Sequence, residues 1–69
     1  MNTIHVSLLE ADTRAKLHNV DSIGTASGAQ LLALAAYDIA TDIYPENDAR
    51  LIGTPAQSVK GENFEFEIS

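Results

Sequence analysis

Hydrophobic residues recur at helical spacing between Ser27 and Tyr44, the longest such segment of this 69-residue chain. Ser27 and Gln30 have the S-x-x-Q spacing of a capping box, in which each side chain satisfies a backbone N–H at the helix start. Pro45 ends the segment because the residue before a proline is disfavoured in helical conformation. We therefore predict an amphipathic helix over residues 27–44 that lies on a small sheet. Its predicted inner stripe is Ala29, Leu32, Ala36, Ile39, Ala40 and Ile43.

Alternation of apolar and polar residues predicts strands on both sides of this helix. Residues 3–10 and 14–20 alternate around a polar break at 10–13, which indicates an antiparallel hairpin. Residues 49–54 form a weaker third strand, and residues 63–68 alternate most cleanly. The side chains expected on the inner faces are Ile4, Val6, Leu8, Ala15, Leu17, Phe64, Phe66 and Ile68.

These elements predict a single α+β domain over residues 1–69. Residues 56–62 contain Ser, Lys and Gly and are expected to form the loop between the last two strands. The predicted topology is ββαββ, a small antiparallel sheet covered on one face by a single helix. The chain has no cysteine, so stability must come from packing without disulfides or a thiolate zinc site.

Two leucines interrupt the polar side of the predicted helix. Leu31 and Leu34 flank Asp38, and Tyr37 lies at the border of the apolar stripe. One interpretation is that a loop or the chain's own ends cover them, since single exposed apolar residues are ordinary. The other is an apolar patch surrounded by acidic residues, which is typical of a binding surface.

The formal net charge is −6, and it is concentrated in the second half of the chain. Residues 38–69 hold seven carboxylates against Arg50 and Lys60, a net charge of −5, whereas residues 1–37 have a net charge of −1. Such asymmetry steers a basic partner, although acidity also keeps a small protein soluble. The four basic residues are scattered singly, which disfavours a conventional site for nucleic-acid phosphates or an anionic membrane.

No combination of residues indicates catalysis, a cofactor or a metal. His5 and His18 lie on strands predicted to face each other, but a metal site needs at least a third ligand. Asp38 and Asp42 are neighbours on one helix face, yet nothing supplies the pocket that would shift a carboxylate pKa for acid–base work. The chain also shows no nucleophile–base pair, so we expect it not to be an enzyme.

The sequence contains no run of about 18 apolar residues that would span a membrane. Its first ten residues lack the basic start and apolar core of a signal peptide. We therefore expect an intracellular, cytoplasmic protein.

In overall type the chain resembles the small anti-CRISPR proteins that phages and mobile elements use against bacterial defences. Its length, acidity, lack of cysteine and single helix Ser27–Tyr44 beside a small sheet are the features that carry the resemblance. The resemblance implies a non-enzymatic inhibitor in the host cytoplasm. Its acids would occupy the Lys/Arg surface by which an effector complex binds RNA or DNA.

A second hypothesis is a structural subunit that forms a homodimer through the exposed leucines. The glutamates of the last strand have two interpretations as well: they discourage edge-to-edge aggregation, or they join the helix acids in one negative surface. The residues predicted to contact a partner are Leu31, Leu34, Tyr37, Asp38, Asp42, Glu46, Asp48, Glu65 and Glu67.

Overall fold

The structure, a computed structural model, describes residues 2–17 and 28–69. This part of the chain forms three helices and a three-stranded antiparallel sheet. The α+β class is therefore confirmed. The elements are β1 (Asn2–Ser7), α1 (Leu8–Leu17), α2 (Gly28–Ile43), β2 (Ala49–Leu51), α3 (Pro55–Gly61) and β3 (Asn63–Ile68).

The last strand, β3, is the centre of the sheet. The strand order is β1-β3-β2, and β3 is antiparallel to both neighbours. Ile4 of β1 and Leu51 of β2 both lie opposite Phe66. Phe64, Phe66 and Ile68 are all buried, as their alternation predicts. The prediction of a strand over residues 63–68 is confirmed.

Helix α2 packs into the core through small side chains. Ala36 and Ala40 are fully buried and belong to the same hydrophobic cluster as Phe64 and Phe66. An alanine face lets a helix backbone approach a sheet closely, so the phenylalanine rings fill the space between the two layers. Ala11 of α1 is also fully buried in this cluster.

The predicted helix over residues 27–44 is confirmed as α2, while its predicted inner stripe is wrong in part. Ile43, the last residue of α2, lies beyond Ala40, the last buried residue of the helix, and is 57% exposed. Ala33 and Ala35 are buried instead. Packing of α1 beside α2 widens the buried face beyond the stripe that a sheet alone would cover. The predicted cap at Ser27 lies outside the described residues.

The predicted strand over residues 14–20 is wrong where the structure describes it, since residues 14–17 belong to α1. The polar break at 10–13 lies inside the same helix. The cause is a helix cap at Ser7, whose side chain accepts from the backbone N–H of Glu10, so that β1 ends and the helix starts there. The backbone N–H of Glu10 donates to Ser7 Oγ at 3.1 Å, and Ser7 Oγ–H donates to Glu10 Oε1 at 3.3 Å.

The predicted loop over residues 56–62 is also wrong, because residues 55–61 form α3. Thr54 caps this helix by accepting from the Gln57 backbone N–H at 3.2 Å, and the Gln57 side chain accepts from the Thr54 N–H at 2.9 Å. Pro55 occupies the first turn, where its missing N–H costs nothing. Gly53, with φ +85, turns the chain into this cap, so the third strand ends at Leu51. The described order is thus β-α-α-β-α-β with three helices, and not ββαββ with one.

We expect the Phe64→Ala variant to lose about 3–5 kcal/mol of unfolding free energy, because it leaves a cavity under the central strand. That loss is comparable to the whole stability of a domain this small. Urea unfolding followed by circular dichroism measures it. The matched control is Leu17→Ala, a 78%-exposed position, where we expect a change within about 0.5 kcal/mol. Equal losses in the two variants would contradict this account of the core.

Candidate functional site: the groove between α1 and α2

A shallow groove of about 220 Å³ lies where α1 and α2 run side by side. Leu34 and Tyr37 are 44% and 46% exposed, whereas Leu31 is partly buried. The structure thus brings together four of the residues predicted to bind a partner. The groove is lined by Arg14, Ala15, Leu31, Leu34, Ala35, Tyr37 and Asp38.

The ring of Tyr37 links the groove to the core. Its centroid lies 6.3 Å from that of Phe66, with the two rings inclined by 55°. Aromatic pairs favour this tilted arrangement. The ring of Tyr37 is therefore supported from beneath by the central strand while nearly half of the residue stays accessible. A supported aromatic side chain offers contact area at a low entropic cost to binding.

A cluster of three charged residues forms one edge of the groove. Arg14 Nη1 of α1 lies 2.9 Å from Asp38 Oδ2 and 2.8 Å from Asp42 Oδ2. These hydrogen bonds, to Asp42 first and then to Asp38, raise the pKa of the Arg14 guanidinium above its ordinary value and outweigh the opposing effect of burial. The side chains of Asp38 and Asp42 remain 49% and 59% exposed.

The two glutamates of β3 lie on the other side of the sheet. Glu65 and Glu67 alternate with the buried Phe64 and Phe66, so they face away from the helices. Glu65 Oε2 lies 2.7 Å from His5 Nε2, and Glu67 Oε1 lies 2.7 Å from an Arg50 guanidinium nitrogen. The structure therefore separates these acids from Asp38 and Asp42. A single negative surface containing both groups does not form.

Glu46 and Asp48 occupy the exposed connection between α2 and β2. Neither has an ion pair within residues 2–17 and 28–69. The backbone carbonyl of Asp48 accepts from the Ser69 N–H at 3.1 Å, which places this connection beside the end of β3. Their carboxylates therefore join neither the pair Asp38 and Asp42 nor the pair Glu65 and Glu67.

The two histidines cannot be compared as a pair, because His18 lies outside the described residues. His5 contacts Glu65 on the outer face of the sheet. In the part of the chain that the structure describes, no three histidine or carboxylate side chains cluster as metal ligands.

A second groove, of about 470 Å³, lies at the junction of β1 and α1 and was missed from the sequence. Leu9 beside it is 75% exposed. The Ser-x-x-Glu spacing at residues 7–10 could have indicated this groove. That spacing marks a helix start, and a helix starting there exposes Leu9. The groove is lined by Ser7, Leu8, Leu9, Asp12, Leu32 and Glu62.

Comparison with protein-family models, with curated proteins and with solved structures finds no match for this chain. Among the described helices, none combines the length and the apolar character needed to cross a bilayer. The function of the chain is therefore inferred from the geometry of the sites described above.

Replacing Arg14 tests the charged edge of the groove. We expect Arg14→Gln to destabilise the fold, because Asp38 and Asp42 then lose the guanidinium that both contact and that offsets their mutual repulsion. Urea midpoints should show the loss and show it shrinking as salt rises, since ions screen partly exposed charges.

The matched control is Arg50→Gln, which breaks the single ion pair with Glu67 at a more exposed position. We expect a smaller loss there. Adding Asp38→Asn and Asp42→Asn to Arg14→Gln should recover part of the stability. No recovery in this triple variant would mean that Arg14 acts through packing alone.

Proposed function

We propose that this chain is a non-enzymatic, acidic protein-binding module that contacts its partner through the groove between α1 and α2. The observation that carries the proposal is the exposure of Leu34 and Tyr37 directly beside the half-exposed carboxylates of Asp38 and Asp42. Large apolar side chains that remain accessible next to fixed charges are typical of interface centres and their polar rims.

The groove suits a basic partner that also carries an apolar side chain. An aliphatic or aromatic side chain of the partner would enter between Leu31, Leu34 and Tyr37. A neighbouring Lys or Arg would meet the carboxylates of Asp38 and Asp42, whose side chains are 49% and 59% exposed. The net charge of −6 favours the approach of such a partner over long range. Apolar contact then supplies affinity, and the charges supply orientation and association rate.

The specific form of the proposal is inhibition of a nucleic-acid-handling complex. A protein surface that binds phosphates is rich in Lys and Arg, so it matches this module in charge. Once the module covers that surface, the complex can no longer bind RNA or DNA. This is the mode of action that the resemblance to anti-CRISPR proteins implies.

A homodimer through the same leucines is the second candidate, and the exposure of Leu34 favours it. In that case the acids would only solubilise the protein. Sedimentation of the wild type beside Leu34→Glu separates the two candidates. A monomer at all concentrations excludes the leucine-mediated dimer and leaves the partner-binding proposal.

The proposal is tested with purified CRISPR effector–guide complexes and labelled target DNA. Fluorescence anisotropy follows DNA binding as the protein is added. We expect the wild type to displace the DNA from at least one type of complex, with an affinity that falls as salt rises. Leu34→Glu should weaken this inhibition about tenfold or more, the effect of losing about 1.4 kcal/mol at an interface centre.

Two double variants with the same change in charge form the matched control. Asp38→Asn/Asp42→Asn neutralises the edge of the groove, and Glu65→Gln/Glu67→Gln neutralises the opposite side of the sheet. We expect only the aspartate pair to weaken inhibition and to reduce its salt dependence. The proposal fails if no complex is inhibited, or if both pairs weaken inhibition equally, which would indicate an effect of net charge alone.

A further inference from the structure

The outer edge of β1 is unusually well suited to pairing with another strand. Within the described residues, β3 is the only strand that pairs with β1. β1 is six residues long, Asn2–Ser7, and it contains no Pro, Gly, Lys, Arg, Asp or Glu. Sheet edges are normally protected by such residues, by bulges or by short strands.

The other edge of the sheet is protected in these ways. β2 has only three residues and carries Arg50 at its centre. Gly53 and Pro55 follow within four residues and turn the chain into α3. The contrast between the two edges singles out β1.

The backbone hydrogen bonds show which residues of β1 face the open edge. The Leu8 N–H donates to the Glu62 carbonyl at 3.0 Å on the β1 side of β3. On the other side, the Ile52 N–H donates to the Glu65 carbonyl at 2.8 Å. In an antiparallel ladder consecutive residues bond to opposite neighbours. Even-numbered residues of β1 therefore bond to β3. Thr3 and His5 direct both their N–H and C=O groups outward. Ser7 directs its N–H outward, while its C=O, at the start of α1, accepts the first bond of that helix.

We propose that β1 pairs antiparallel with β1 of a second copy of this chain, with His5 opposite His5 on a twofold axis. Thr3 then lies opposite the partner copy's Ser7, and Ile4 opposite its Val6. Outward-facing residues meet outward-facing residues, so four backbone hydrogen bonds form between the two copies. Each His5 N–H donates to the second copy's His5 C=O, and each Ser7 N–H donates to the second copy's Thr3 C=O. The two three-stranded sheets become one of six strands.

Complementarity of the side chains in this register favours a second copy of this chain as the partner that pairs with β1. On the inner face, the row across four strands reads Phe66, Ile4, then the second copy's Val6 and Phe64, which is apolar throughout. On the outer face, the row reads Glu65, His5, then the second copy's His5 and Glu65. The two carboxylates are about 14 Å apart, three strand spacings, with both imidazoles between them. A register centred on Ile4 would instead place Asn2 opposite Val6 on the apolar face.

Backbone amide exchange and sedimentation of the intact protein test the pairing. We expect the amides of His5 and Ser7 to gain protection as protein concentration rises, while those of Ile4 and Val6 are protected throughout. Higher salt should strengthen the dimer by screening two acidic chains, opposite to its effect on a basic partner. A monomer at millimolar concentration, or outward amides whose exchange ignores concentration, would refute the proposal.

Because the chain lacks cysteine, single cysteine variants report the register. In the proposed pairing the two His5 Cα atoms are about 5.5 Å apart, within the span of a disulfide. His5→Cys should therefore form a disulfide-linked dimer under mild oxidation. Thr3→Cys faces Ser7 and should not. Equal cross-linking of the two variants would rule out this register.

A proline variant tests the edge hydrogen bonds. His5→Pro removes the outward N–H of His5 without touching the ladder to β3, so it should abolish the dimer and keep the circular dichroism spectrum, whereas His5→Gln should keep both. Leu34→Glu should leave this dimer intact, so the test of the β1 edge is independent of the test of the groove between α1 and α2. A dimer that survives His5→Pro and is lost in Leu34→Glu would overturn the proposal.

Discussion

The packing of β3 against the alanines of α2 is the constraint on which the rest of the structure depends. Phe64 and Phe66 are the largest fully buried side chains of the described residues, and Ala36 and Ala40 leave the room that they fill. A domain of this size has little apolar surface to bury, so both sides of this contact are needed. Placing β3 at the centre also leaves β1 and β2 as the two edges of the sheet.

The charged groups are organised by this same arrangement. Since Phe64 and Phe66 face the helices, Glu65 and Glu67 must face the other way, where His5 and Arg50 pair with them. Arg14 of α1 is brought to the acids of α2 because the two helices lie side by side. The acidity of the chain is thus divided between separate surfaces, and in the groove between α1 and α2 the acids of α2 lie beside exposed apolar side chains.

The groove and the β1 edge offer different kinds of contact. The groove presents supported side chains such as Tyr37, so its selectivity for a partner depends on shape and charge. The β1 edge presents backbone groups of Thr3, His5 and Ser7, so its selectivity depends on register. The two surfaces use different residues, and a single molecule can use both at once.

Local patterns in the sequence determined the α+β class, the helix over residues 28–43 and the last strand, because long or clean periodicity reflects burial of one face. Leu31, Leu34 and Tyr37 were also identifiable, since they break that periodicity. The alternation of Arg14 to Leu17 was too short to outweigh the helix cap at Ser7, and Thr54 started a helix in a segment without an apolar pattern. Only the tertiary structure decided the strand order, the pairing of Arg14 with Asp38 and Asp42, and the separation of the acids, because these contacts join residues far apart in the chain.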